Sequence, residues 1–135
     1  MKRIIIVLSI LSFLVIVPEL EAQSKEKAGN NPVAEVYYFH NTRRCETCMN
    51  VERQSKQALQ QLYPQQMKAG KVRFTALNIE EAQGKKEAAR LGVEGQCLLV
   101  VKDDKKVDLT DKAFLYCNTS PDKLKAALNE AIGKI

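Results

Sequence analysis

The chain has 135 residues, four cysteines, no tryptophan and a formal net charge of +5. That excess is spread over Arg43, Arg44, Lys68, Lys71, Lys85, Lys86, Lys105 and Lys106. With no long basic block and no nucleic-acid motif, it reads as solvated surface and argues against nucleic acid as a partner.

Met1-Lys2-Arg3 is a basic start, Ile4 to Val17 is apolar, and Pro18 breaks the run before Leu20-Glu21-Ala22. This is the pattern of a cleaved secretory signal over residues 1–22, and the run is short for a spanning helix. A periplasmic or secreted protein is expected. No cysteine follows the run to carry a lipid anchor. The remaining length of about 113 residues suits one domain. Residues 23–31 are polar and aperiodic and read as a flexible linker. The domain then spans residues 32–135.

Val33 to Phe39 predicts a strand buried on both faces. His40 to Arg44 is the approach to a helix over about Cys45 to Leu62. Cys48, Val51, Ser55, Leu59 and Leu62 step by three or four along its inner face. Tyr63-Pro64 ends it, and Ala69-Gly70 is a turn. Val72 to Ile79 is a second strand. A second helix follows over about Glu80 to Leu91, weakened by Gly84. Gly92 to Gly95 turns into an apolar strand, Gln96 to Lys102, which a hairpin at Asp103-Asp104 joins to Lys105–Leu109. Thr110 to Cys117 has no clear period, and Ala113 to Tyr116 is a candidate to continue the edge. Thr119 or Ser120 caps a last helix. Pro121 and Asp122 fill its first turn, Leu124, Ala127, Leu128, Ala131 and Ile132 form its apolar face, and Gly133 ends it.

The order is βαβαββα, an α/β fold. Its β-α-β start implies a parallel right-handed crossover and its hairpin an antiparallel edge, with helices on both faces. Cys45-Glu46-Thr47-Cys48 lies at the first strand-to-helix junction. There the helix dipole and unpaired backbone N–H groups favour a thiolate on Cys45, with Arg43 and Arg44 adding to the effect and Glu46 opposing it. The tight spacing closes too small a loop to be mainly a structural staple.

That order with C-x-x-C opening the first helix resembles the thioredoxin-like superfamily over Val33 to Ile135, without the extra N-terminal strand and helix of full thioredoxins. Lys71 to Glu80 looks like its second core strand, and Gly92-Val93-Glu94-Gly95 like its Gly-Ile-Arg-Gly turn. More narrowly, Tyr37 to Cys48 is similar to a small exported family described as a nitrophenyl-compound nitroreductase subunit. The resemblance implies a three-layer sandwich with a central mixed sheet of about four strands. It also implies a catalytic pair in which Cys45 attacks a disulfide and Cys48 resolves it. The chain departs from the pattern in two places. Arg44 replaces an aromatic residue and Glu46-Thr47 replaces Gly-Pro. The cis-proline position falls on Cys97, or on Gln96 if the register slips by one, so a cis peptide is not expected there.

Cys97 has three readings. It can pair with Cys117 or relay electrons, if the chain returns near the site as in the family; it can be a small core hydrophobe; or it can join Cys45 and Cys48 as a third thiolate. Pairing or relay ranks first and metal binding last. His40, the single histidine, is either a hydrogen-bonded strand end or a proton-transfer group. Met49 reads as packing. Two functions follow. One is an exported thiol–disulfide oxidoreductase whose only cofactor is its disulfide. It would act on a protein disulfide or a small thiol-reactive substrate and draw on a membrane electron donor if it is a reductase. The other is a carrier of Cu(I), Zn or As(III) on Cys45, Cys48 and Cys97.

Overall fold

A computed structural model describes residues 33–134; the signal and linker expectations lie outside the described residues. The elements are β1 (Ala34–His40), α1 (Glu46–Leu62), α2 (Pro64–Lys68), β2 (Val72–Asn78), α3 (Ala82–Leu91), β3 (Cys97–Lys102), β4 (Lys105–Asp108), α4 (Thr110–Tyr116) and α5 (Pro121–Lys134). The four strands form one mixed sheet in the order β2-β1-β3-β4. β1 runs parallel to β2 and antiparallel to β3, and the β3–β4 hairpin closes the other edge. This is the expected α/β architecture, compatible with a thioredoxin-like sandwich. Among the described residues no helix is long and apolar enough to cross a membrane.

β1 has partners on both edges, and its consecutive apolar side chains feed two separate cores. Ala34, Val36 and Tyr38 join Leu98 and Val100 of β3 under α1, α4 and α5. Tyr37 and Phe39 join Leu77, Cys97, Leu99 and Val101 under α3. The period of two sends alternate side chains to opposite faces. Burial on both faces therefore explains why Val36 to Phe39 are apolar without alternation.

Two segments differ from the expectation, and α5 runs through Gly133, expected to end it, to Lys134. Thr110–Tyr116 is helix α4 and does not continue the edge. Leu109, Ala113 and Cys117 recur every fourth residue and are all buried, so one helical stripe, not strand alternation, satisfies them. The Thr110 N–H donates to Asp108 Oδ1 at 2.8 Å and turns the chain off the sheet. Pro64–Lys68 forms the short helix α2, a stretch between the end of α1 and the turn at Ala69-Gly70 for which the sequence assigns no element. Pro64 does stop α1, but its fixed φ also suits the first position of a new helix.

Gly84 sits where α3 meets the end of β2. A Cβ there would overlap the Asn78 carbonyl, far inside van der Waals contact. The glycine that weakens the helix locally is thus what lets it dock. In α1, Ser55 is fully buried and its hydroxyl has no hydrogen-bond partner. These two observations set opposite signs for the same substitution type. Gly84→Ala gains about 1 kcal/mol of helix propensity but forces backbone apart, at about 1–3 kcal/mol. Urea unfolding is expected to show a net loss for Gly84→Ala. Ser55→Ala removes an unsatisfied hydroxyl and is expected to gain about 1 kcal/mol.

Candidate functional site

The site forms where β1 ends. β1 pairs with β3 so that Phe39 stands opposite Cys97. The loop carrying Arg43 and Arg44 therefore leaves the sheet beside the residue that precedes β3, Gln96. Cys45 is the N-cap of α1, with extended backbone, and its sulfur accepts a hydrogen bond from the Cys48 N–H at 3.2 Å. Serine, threonine and aspartate usually fill this role with oxygen. Cys45 and Cys48 are joined in a disulfide with their Cα atoms 5.1 Å apart. Cys45 is exposed and Cys48 is 4% exposed. The pair is thus presented asymmetrically, one sulfur outward and one inward.

Gln96 covers the inner sulfur. Its amide Nε2 lies 3.7 Å and its Oε1 3.9 Å from Cys48 Sγ. In the disulfide Cys48 has no proton, so only the amide N–H can donate. After reduction the S–H can donate to Oε1 instead. One side chain thus offers a polar partner to the sulfur in either redox state. The peptide chain has no cis bond among the described residues. Of the two positions considered for the family's proline, Gln96 is the one that touches the pair.

Three residues outside α1, namely Tyr38, Asn118 and Arg44, hold its start. The Tyr38 hydroxyl, on a fully buried side chain, donates to the Cys48 carbonyl at 2.9 Å. Asn118, just after α4, donates to Thr47 Oγ1 at 3.2 Å and accepts from Asn50 Nδ2 at 2.7 Å. The Arg44 guanidinium pairs with Glu52 and lies 5.8 Å from the Tyr38 ring centre. Arg44 therefore braces the turn from outside, while Arg43 is exposed. Tyr38 was expected only as core. Glu52, Asn50 and Asn118 carried no signal in the sequence, because their partners lie 8 or about 70 residues away.

Of the other candidates, Cys117 reaches the turn that carries the disulfide, whereas Cys97 belongs to the other core. Cys97 and Cys117 are free, buried thiols in different cores, on opposite faces of the sheet, so the expected Cys97–Cys117 bridge is not formed. Burial pushes both thiols up, and for Cys97 the nearby Asp108 carboxylate adds to this while the Thr110 hydroxyl works against it. Cys117 lies under α1, its sulfur 3.9 Å from the Thr47 carbonyl oxygen. Cys97 packs with Ala88 and Leu91 in the core under α3. Among the described residues no three His, Cys, Asp or Glu side chains cluster as a metal-holding group. His40 is half-buried, with Nδ1 2.9 Å from the Asn41 carbonyl and its ring 5.9 Å from Tyr38. Met49 is half exposed. Glu80 caps the approach loop by accepting from the Thr42 N–H at 2.9 Å. The Thr42 hydroxyl first, and this N–H second, hold its carboxyl below the usual range.

No family model matches the chain, and no curated protein matches it. A solved chain described as "Structure of a malarial protein" is 14% identical with a TM-score of 0.45, over 73% of this chain and 97% of that one. A likeness at that level carries no argument.

A buried thiol with a raised pKa reacts slowly with disulfide reagents. The folded, oxidised protein is expected to show no thiol reactive to such a reagent at pH 7 and two after unfolding in guanidinium. One or more reactive thiols before unfolding would contradict the placement of Cys97 and Cys117.

Proposed function

We propose that the protein is an exported thiol–disulfide oxidoreductase working through Cys45 and Cys48. A C-x-x-C disulfide in an α/β fold is compatible with such chemistry. The observation that carries the reading is the asymmetry of the pair: an exposed sulfur capping a helix, bonded to a shielded sulfur inside the same turn. Export rests on the pattern of residues 1–22.

In the reducing direction, the Cys45 thiolate attacks a substrate disulfide. A mixed disulfide forms and one substrate sulfur leaves as thiolate. The Cys48 thiolate then attacks Cys45 Sγ and expels the second substrate sulfur. The protein disulfide forms, and two electrons have passed to the substrate. A dithiol donor restores the reduced pair and supplies the two protons that the leaving thiolates take up. The same steps run backwards when the oxidised pair meets a dithiol substrate. The helix N-terminus favours negative charge on the attacking sulfur, and Gln96 offers a partner to the resolving one.

The carrier reading asked for a third thiolate from Cys97, which faces the other core. The oxidoreductase reading needs only the two sulfurs that the structure brings together.

The assay is reduction of a protein disulfide with dithiothreitol as donor. Cys45→Ser is expected to fall to the rate of dithiothreitol alone. Cys48→Ser, reduced beforehand and freed of dithiothreitol, is expected to hold a mixed disulfide with the substrate through Cys45, visible by mass spectrometry. Equal rates for wild type and Cys45→Ser would remove the assignment.

A further inference from the structure

Resting on that reading, the geometry points to the kind of substrate: we propose that a cationic recess on the flank of α1 binds an acidic segment of the protein or peptide that carries the disulfide. The recess measures about 310 Å³ and is lined by Arg44, Met49, Glu52, Arg53 and Lys56. It starts one residue before Cys45. Met49, Arg53 and Lys56 are four and three residues apart, so they share one face of the helix.

Charge decides what the recess prefers. Glu52 is committed to Arg44, and that pair is part-buried, with side chains 23% and 30% exposed. Its charges cancel locally. Arg44 Nε is buried and has no hydrogen-bond partner. Arg53 and Lys56 are exposed, and neither pairs with a carboxylate among the described residues. Two positive charges are therefore left over, one helical turn apart, and exposed Arg43 adds a third on the approach loop. Glu46, exposed beside Cys45, opposes them. Met49, 49% exposed, gives the lip an apolar surface.

Two unpaired cations one turn apart suit two carboxylates along an extended chain. A chain entering here would lay its next residues across Cys45. The volume is at the small end of ligand pockets, about 300–1,000 Å³, which suits side chains rather than a bulky cofactor. Exposed ion pairs are weak, and two of them amount to a preference of about three- to tenfold. Salt should screen it. The recess would thus select among disulfides without contributing to sulfur exchange itself.

The test uses three cystine peptides that differ only in two flanking residues, Glu, Gln or Lys, with dithiothreitol as donor. The readout is the ratio of kcat/KM values, Glu over Gln. Wild type is expected to show a ratio of about 3–10 at low salt, falling toward one at 0.5 M NaCl. The Arg53→Gln/Lys56→Gln double variant is expected to show a ratio near one. Glutamine is a good helix former, so these exposed sites should keep their helix. A second arm needs no turnover. A cysteine-free Glu peptide should shift the amide resonances of residues 49–56 in wild type but not in the double variant. A wild-type ratio of one, an unchanged ratio in the variant, or equal shifts from inorganic phosphate would overturn the acidic-segment assignment. Turnover of none of the peptides, with the amide shifts present, would count against the oxidoreductase reading and leave the recess assigned.

Discussion

Everything distinctive about this molecule depends on one hydrogen bond: a cysteine sulfur accepting the backbone N–H three residues further on, at the start of α1. A helix must satisfy its first N–H groups from outside, and here the reactive position and the capping position are the same residue. The side chain that begins the helix is the one the chemistry would use. Its partner, Cys48, is carried into the protein by the helix's own geometry. The asymmetry of the pair follows from a cap and a turn, and no larger device is needed.

The sheet supports that arrangement at a distance. β1 is central and apolar on both faces, so its end is held firmly. Its register with β3 brings Gln96 beside Cys48. Tyr38 leaves the same strand and ties its hydroxyl to the Cys48 carbonyl. On the outer side, Arg44 and Glu52 lock together against the Tyr38 ring. Arg44 is thereby a brace at least as much as a source of positive charge for Cys45. Arg43 remains exposed beside it.

Much of this was legible in the sequence because it rests on local rules. The consecutive apolar residues Val36–Phe39, the C-x-x-C that follows them and the Pro-Asp start of α5 each point to their element without tertiary information. The failures have a common cause. Ala113-Phe114-Leu115-Tyr116 is short and apolar, and only the fold shows that Leu109, Ala113 and Cys117 need a helical stripe. The choice between Gln96 and Cys97 turned on a one-residue register, and in a strand one residue is the difference between opposite faces. Cys97 accordingly lies under α3 and Gln96 beside the disulfide. Asn118, Asn50 and Glu52 meet their partners through tertiary packing or across two helical turns, where no sequence pattern reaches.

The central claim is that one sulfur is presented and the other shielded. The most direct measurement is brief alkylation of the reduced protein with a limiting amount of iodoacetamide, followed by peptide mapping. The account predicts that Cys45 takes the label ahead of Cys48 by about tenfold or more. Equal labelling, or label first on Cys48, would contradict it.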